Sequence, residues 1–257
     1  MPFVETDDNC EIYYESTGSG PVIAFAPGFM GIADIWREQV ARFSATHRCI
    51  TFDTRGAGRS DKPIPRVSYG VDRHARDLDV VLEHLGVDRC VIIGHSMGGN
   101  IACRFHRRHP ERVAGIVFVG SYVAGRQIVE AGNTLERIKA AVTMKSDRVK
   151  FYEAVGLPSD IAVEATKWPL YAVLGNAESF IEFDGHDDIR GIAAPCLIVH
   201  GDRDIVSPLE PCATALQAGL AHAELVELRG VNHCPMIEAP EPTNAAMARY
   251  FDSLGSW

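Results

Sequence analysis

The sequence predicts an α/β fold, a mostly parallel sheet wrapped by helices and interrupted late by a helical insertion. Three observations carry this prediction. Short apolar runs without polar alternation are separated by helix-like segments, which is the mark of strands buried on both faces. One such run ends in GHSMGG, residues 94–99, where a strand passes abruptly into a helix. The strand–helix alternation then lapses from about Tyr122 to Ile189 and resumes afterwards.

Taken in order, Cys10 to Ser16 reads as a strand, TGSG at 17–20 as a turn, and Val22 to Ala26 as a short apolar strand. A helix follows at about Ile35 to Ser44, then a strand at Arg48 to Phe52 and a helix at Val71 to Leu85. Val91 to Ile93 is a strand, Met97 to Arg108 a helix and Val113 to Val119 a strand. The lapse that comes next is mostly helix-like and holds Phe151, Tyr152, Trp168, Tyr171, Phe180 and Phe183. A structureless loop of that length does not suit a compact domain, so the segment reads as a small helical insertion. Each of its aromatics, taken singly, is read as the insertion's own core. The pattern resumes with a strand at Cys196 to His200, a helix at Pro208 to Ala218, a strand at Glu224 to Leu228 and a helix from about Glu241 to Leu254. The division is therefore a core of residues 1–120 and 190–257 with an insertion of 121–189.

Bulk composition narrows the classes. The chain has 257 residues, 46% of them hydrophobic, enough for one substantial core. A formal net charge of -9 argues against nucleic acid as the main partner. A small molecule is the expected partner, and the composition leaves the oligomeric state open. No run approaches the length of a membrane span, and the acidic start MPFVETDDNCEIYYE lacks the features of a signal peptide. The cysteines at 10, 49, 90, 103, 196, 212 and 234 are scattered and show no CxxC spacing. They read as buried free thiols of a cytoplasmic protein, not as a disulfide framework or zinc site. The cluster DGHDD at 184–188 superficially resembles a metal site, but it reads as a solvated helix start with Asp188 as its cap. No cofactor or metal is expected.

Ser96 sits at the tight turn of GHSMGG, where a positive φ is strained for a residue with a Cβ. Only glycine fits comfortably two positions to either side, which accounts for Gly94 and Gly98, and Gly99 allows close packing of the new helix. The helix N-terminus points free N–H groups and the positive end of its dipole at any anion formed above it. This context makes Ser96 a candidate nucleophile, and GHSMGG is not the G-x-G-x-x-G of a dinucleotide site.

A serine hydroxyl needs a base. His233, in RGVNHCPMIEAPE, follows the last expected strand and so lies on the same rim of a parallel sheet as Ser96. GDRD at 201–204 follows the preceding strand on that rim, and Asp204 is the expected acid orienting His233. Asp202 is read as structuring the turn. The order Ser96, Asp204, His233 is nucleophile–acid–base. His95 is read as packing under the turn and His200 as contributing to the pocket floor. The other histidines are read as surface residues. An acyl-transfer oxyanion needs two preplaced donors. The expected pair is the backbone N–H of Met97 and that of Phe29, in the loop APGFMG at 26–31.

Together these residues resemble the α/β-hydrolase fold serine hydrolases over almost the whole chain. The resemblance runs through YYESTGSGP, FDTRGAGRSD at 52–61, GHSMGG, GDRDIVSP at 201–208 and NHCPMIEAPE at 232–241. It implies an eight-stranded, mostly parallel sheet, a helical cap inserted after the sixth strand, and the roles given above for Ser96, Asp204, His233, Phe29 and Met97. Pro27-Gly28 stands where many relatives have His-Gly. Proline donates no N–H, so the expected oxyanion donor lies one step on, at Phe29. The loop Asp53 to Ser60 is read as structural. Haloalkane dehalogenase and epoxide hydrolase relatives carry aspartate at the nucleophile position, and this chain has serine. Cleavage of a small-to-medium, largely uncharged carboxylic ester is the leading expectation. A carbon–carbon bond hydrolase or enol-lactonase of aromatic degradation stays open, although no arginine of the insertion declares itself as anchor for a substrate carboxylate. A non-catalytic ligand receptor on the same fold is the alternative from a different class.

Overall fold

The computed structural model describes residues 2–29 and 31–257. Eight strands form one sheet in the order β1-β2-β4-β3-β5-β6-β7-β8. They are β1 (Phe3–Glu5), β2 (Glu11–Thr17), β3 (Val22–Ala26), β4 (Arg48–Phe52), β5 (Cys90–His95), β6 (Val113–Val119), β7 (Cys196–Gly201) and β8 (Ala223–Leu228). The pairs β1·β2 and β2·β4 are antiparallel and all the others parallel. Every residue of β5, β6 and β7 is buried. That is why these strands read as unbroken apolar runs instead of alternating ones.

The core helices are α1 (Arg37–Phe43), α2 (Val71–His84) and α3 (Met97–Arg108). Between β6 and β7 the chain forms α4 (Gly125–Glu130), α5 (Leu135–Thr143), α6 (Lys145–Ala154), α7 (Ser159–Glu164), α8 (Leu170–Glu182) and α9 (His186–Arg190). After β7 come α10 (Thr214–Gly219), α11 (Pro235–Glu238) and α12 (Pro240–Leu254). α2 packs on α3, and α1 packs on α12. β6 touches both α3 and α12, so the two groups cover opposite faces of the sheet.

Several sequence expectations shift. A single helix over 35–44 is instead a 3₁₀ turn, Ala33–Trp36, leading into α1. The helix expected over 208–218 shrinks to α10, because Glu210 lies outside helical geometry at φ -101, ψ 119. Glu210 precedes Pro211, and a residue before proline is pushed towards extended backbone. Asp188 caps nothing. It lies inside α9, buried, with its Oδ1 accepting from Arg104 and Arg107 at 3.1 and 3.0 Å. The turn before α9 is held by Asp184, which accepts from the His186 backbone at 3.0 Å. His74 and His106, expected at the surface, are buried.

The order β4-β3-β5 makes a topological switch point, where the chain leaves β3 to one side and later returns on the other. Crevices outside the carboxyl ends of strands form at such points. Ala26, the last residue of β3, pairs with Gly94 of β5. This register sets the loop after β3 beside the turn that carries Ser96.

Candidate active site

Ser96 joins β5 to α3 with φ 51 and ψ -121. Its N–H donates to Val119 O of β6 at 2.8 Å, which pins the turn to the sheet. A serine at a helix N-terminus ordinarily accepts a hydrogen bond from the first turn. Ser96 makes no such side-chain bond. Its hydroxyl is therefore not committed to capping, and Ser96 forms part of a cavity wall. The two flanking glycines are required by close approach. A Cβ on Gly98 would stand 2.1 Å from Ala26 O, and one on Gly94 would stand 2.4 Å from the Gly98 backbone. Ser121 adds support that the sequence did not signal, its Oγ lying 3.1 Å from Ser96 O and 3.2 Å from Gly94 O.

His233 lies between β8 and α11 and Asp204 just beyond β7, both buried. The ring Nδ1 of His233 donates to Asp204 Oδ2 at 2.8 Å. The other carboxylate oxygen, Oδ1, accepts from the backbone N–H groups of Val206 and Ser207, each at 2.8 Å. Burial works to raise the Asp204 carboxyl. The His233 ring and these donors more than offset it and hold the group below its ordinary range. Ser207 is a neighbour that sequence reasoning missed. Its Oγ lies 2.9 Å from Asp204 Oδ2, 2.8 Å from Gly120 O and 3.3 Å from His233 Nδ1. Asp202 is exposed and accepts from the Gly230 backbone at 2.6 Å, a turn bond outside the site.

His95 packs beside His233, with ring centroids 4.8 Å apart, and its Nε2 donates to the His233 carbonyl at 3.0 Å. Burial, with the His233 ring second, pushes the His95 imidazole down to about 3, so it stays neutral. His200 does not reach the cavity floor. Its Nε2 donates to Ser207 O at 2.6 Å, and so it braces the loop that holds Asp204.

The cavity beside Ser96 has a volume of about 50 Å³. Ser96, His233, Phe29, Tyr122, Phe151 and Phe180 are among its walls, and among the described residues no carboxylate, lysine or arginine lines it. Phe29 packs against Phe180, the ring centroids 5.0 Å apart and the planes tilted by 56°. Neither the Phe29 nor the Met97 backbone N–H is bonded to another described residue. Of the six aromatics singled out between β6 and β7, Phe151, Tyr152 and Phe180 border the cavity. Trp168 and Phe183 are buried elsewhere, and Tyr171 is exposed with its hydroxyl on Lys62 O at 2.8 Å. Arg148, buried among these helices, donates to the carbonyls of Val142, Ala165 and Trp168, each at 2.9 Å, and does not face the cavity.

A wider open cleft of about 650 Å³ lies by the start of α2, with Arg66, Arg73, Arg104 and Arg108 in its walls. Those arginines pair with carboxylates, and none of Ser96, Asp204 and His233 borders that cleft. Among the described residues no three His, Cys, Asp or Glu side chains are gathered as metal ligands. Nor, among the described residues, is any helix long and apolar enough to cross a membrane.

A family profile described as alpha/beta hydrolase fold matches residues 21–152. The non-heme haloperoxidase of Rhodococcus erythropolis is 30% identical, over 98% of this chain and 100% of its own length. Among solved structures, an esterase from Exiguobacterium antarcticum superposes with a TM-score of 0.85 at 22% identity, covering 97% of this chain and 98% of its own. Est816, described as an N-acyl homoserine lactone degrading enzyme, gives a TM-score of 0.74 at 29% identity over 97% of this chain and 100% of its own.

Proposed function

The chain is an enzyme belonging to the α/β-hydrolase fold family, and from that premise we propose that it hydrolyses a small-to-medium, largely uncharged carboxylic ester through an acyl-enzyme on Ser96. The observation that carries this reading is one small apolar cavity bordered by both Ser96 and His233, with His233 hydrogen-bonded to the buried Asp204 at 2.8 Å. His233 takes the Ser96 proton as the oxygen attacks the acyl carbon, and gives it to the departing alkoxide when the ester C–O bond breaks. Water, activated by the same ring, then releases the acid. Asp204 holds the ring's tautomer and stabilises the imidazolium. The Phe29 and Met97 N–H groups receive the oxyanion. The helices between β6 and β7 act as the cap, closing the site with Phe151, Tyr152 and Phe180.

An uncharged reacting end of the substrate follows from walls beside Ser96 that hold no carboxylate, lysine or arginine among the described residues. The same fact weighs against the carbon–carbon bond hydrolase, since no cation lines the space beside Ser96 to hold a substrate carboxylate there and the buried Arg148 is committed to backbone carbonyls. A lactone is an internal ester, opened by the same steps, and the likeness to Est816 favours including it. The seven buried, unpaired cysteines support a reducing compartment such as the cytoplasm.

A fluorophosphonate probe tests the assignment. It is expected to label the wild-type chain and not Ser96→Ala, with turnover of p-nitrophenyl acetate falling by about 10⁴-fold in the variant. Labelling that persists in Ser96→Ala overturns the nucleophile. Ligand-induced stabilisation without turnover of any ester or lactone favours a receptor.

A further inference from the structure

A second cavity, of about 140 Å³, shares a wall with the first and lies between α5, α6 and the loop after β7. Asn133, Ile138, Phe151, Val155 and Val206 border both. Four of these partition residues are apolar. The fifth, Asn133, is committed elsewhere, its Nδ2 donating to Ile205 O at 3.0 Å and Val206 O at 3.2 Å. That bond ties the α4–α5 connection to the loop that follows Asp204. On the outer side, Ala141 and Ala154 contribute only methyl groups, and Ile205 stands 55% exposed at the rim.

Arg137 also lines the outer cavity. It is exposed, its Nη1 donates to Gly132 O at 3.2 Å, and among the described residues it forms no ion pair. Arg126, one helix earlier, pairs with Glu130. The outer cavity therefore joins an apolar wall to a cation without a partner.

Size gives the arrangement a use. The inner cavity, at about 50 Å³, is much smaller than the outer one, at about 140 Å³. The smaller space beside Ser96 suits a short acyl group and the larger one the rest of the ester. We propose that the outer cavity is the leaving-group subsite, receiving an alcohol whose apolar chain crosses the partition and ends in a carboxylate held by Arg137. This rests on the reading of Ser96 as an ester-cleaving nucleophile. The substrate class becomes a short-chain acyl ester of an ω-hydroxy acid, neutral at the reacting end and anionic at the far end.

The test compares methyl acetate, hexyl acetate and the acetyl ester of 6-hydroxyhexanoate. The carboxylated ester is expected to exceed hexyl acetate in kcat/KM by about fivefold at low salt, mainly through KM, as suits one exposed ion pair. The ratio should collapse in 0.5 M salt and in Arg137→Gln, and return in part in Arg137→Lys. Val155→Trp, which fills the partition, should lower kcat/KM for both long esters relative to methyl acetate. The proposal is overturned by a wild-type ratio near one, by a ratio that Arg137→Gln leaves in place, or by a Val155→Trp that slows all three esters alike. A chain that cleaves none of them and leaves Ser96 unlabelled by fluorophosphonate instead overturns the underlying reading, and the subsite with it.

Discussion

At Ser96 a strained backbone and an uncommitted hydroxyl occur together. A φ of 51 is tolerated because the Val119 carbonyl and the tight Gly98–Ala26 contact over-determine the turn. The candidate site was legible because each requirement demands a residue type: glycine where backbones touch, serine between them, a histidine and an aspartate on later loops of the same rim. Ser207 was not legible. A serine in DIVSP looks like any turn residue, and only the folded loop brings its Oγ to 2.9 Å from Asp204 Oδ2. Its single proton serves either that oxygen or Gly120 O, and when it is given to Asp204 Oδ2 it helps fix the plane of the carboxylate behind His233. We treat Ser207 as a positioning residue. Ser207→Ala removes one hydrogen bond to a charged or buried acceptor, about 1–2 kcal/mol. The expected result is a kcat on p-nitrophenyl acetate about tenfold lower, with KM little changed. A purely structural serine would lower the melting temperature without that split between kcat and KM.

The elements show a different limit. Strands β3 to β7 were legible from buried apolar runs. β1 was not, because three residues with only Val4 half-buried carry no pattern. The helices between β6 and β7 read only as generally helical, since six short helices broken by prolines and glycines give no sustained period. One of them, α8, is tied to the core through α2. His74 of α2 is buried, and its Nε2 donates to Asn176 Oδ1 of α8 at 2.7 Å, while Asn176 Nδ2 reaches Arg55 O at 3.3 Å. Burial pushes His74 down to about 4, helped by the nearby Arg55 charge. An unfolded imidazole titrates near 6.5. Between those values the unfolded chain carries the extra proton, so folding stability falls as pH drops from about 6.5 towards 4. The upper bound for this one group is about 3 kcal/mol. His95 and His200, also lowered by burial, act in the same direction. Urea unfolding of His74→Gln, which retains a donor for Asn176, should show a shallower loss of stability over that interval. An unchanged slope would place the acid sensitivity in other groups.

Across the whole molecule, a mostly parallel sheet wrapped by helices was legible in the sequence because burial on both faces leaves a composition signal, whereas the strand order is set by tertiary pairing and was not. Nor was the closure of the site. It depends on which side chains of the helices between β6 and β7 turn inward, and Phe180 and Phe183 differ in fate without differing in residue type, the first bordering the cavity and the second buried away from it. The cysteines make global burial measurable. All seven are free and buried, on strands β4, β5 and β7, on α3, and on segments next to β2, α10 and α11. Burial raises their thiols, Cys49 to about 11 and Cys10, Cys90, Cys196 and Cys212 to about 12, with Cys103 and Cys234 well above the usual thiol range. A thiol reagent attacks the thiolate, so it must wait for opening as well as for deprotonation. Because these residues are spread over both layers and most of the sheet, local fraying of one edge exposes few of them, and only global unfolding exposes them all. Ellman's reagent added to the native chain at pH 8 should therefore react slowly, then report seven thiols once guanidinium unfolds it. The melting temperature should be the same with and without dithiothreitol. Fast native release of several equivalents would mean that the layers open separately, while fewer than seven thiols after unfolding, or a melting temperature lowered by reductant, would reveal a disulfide.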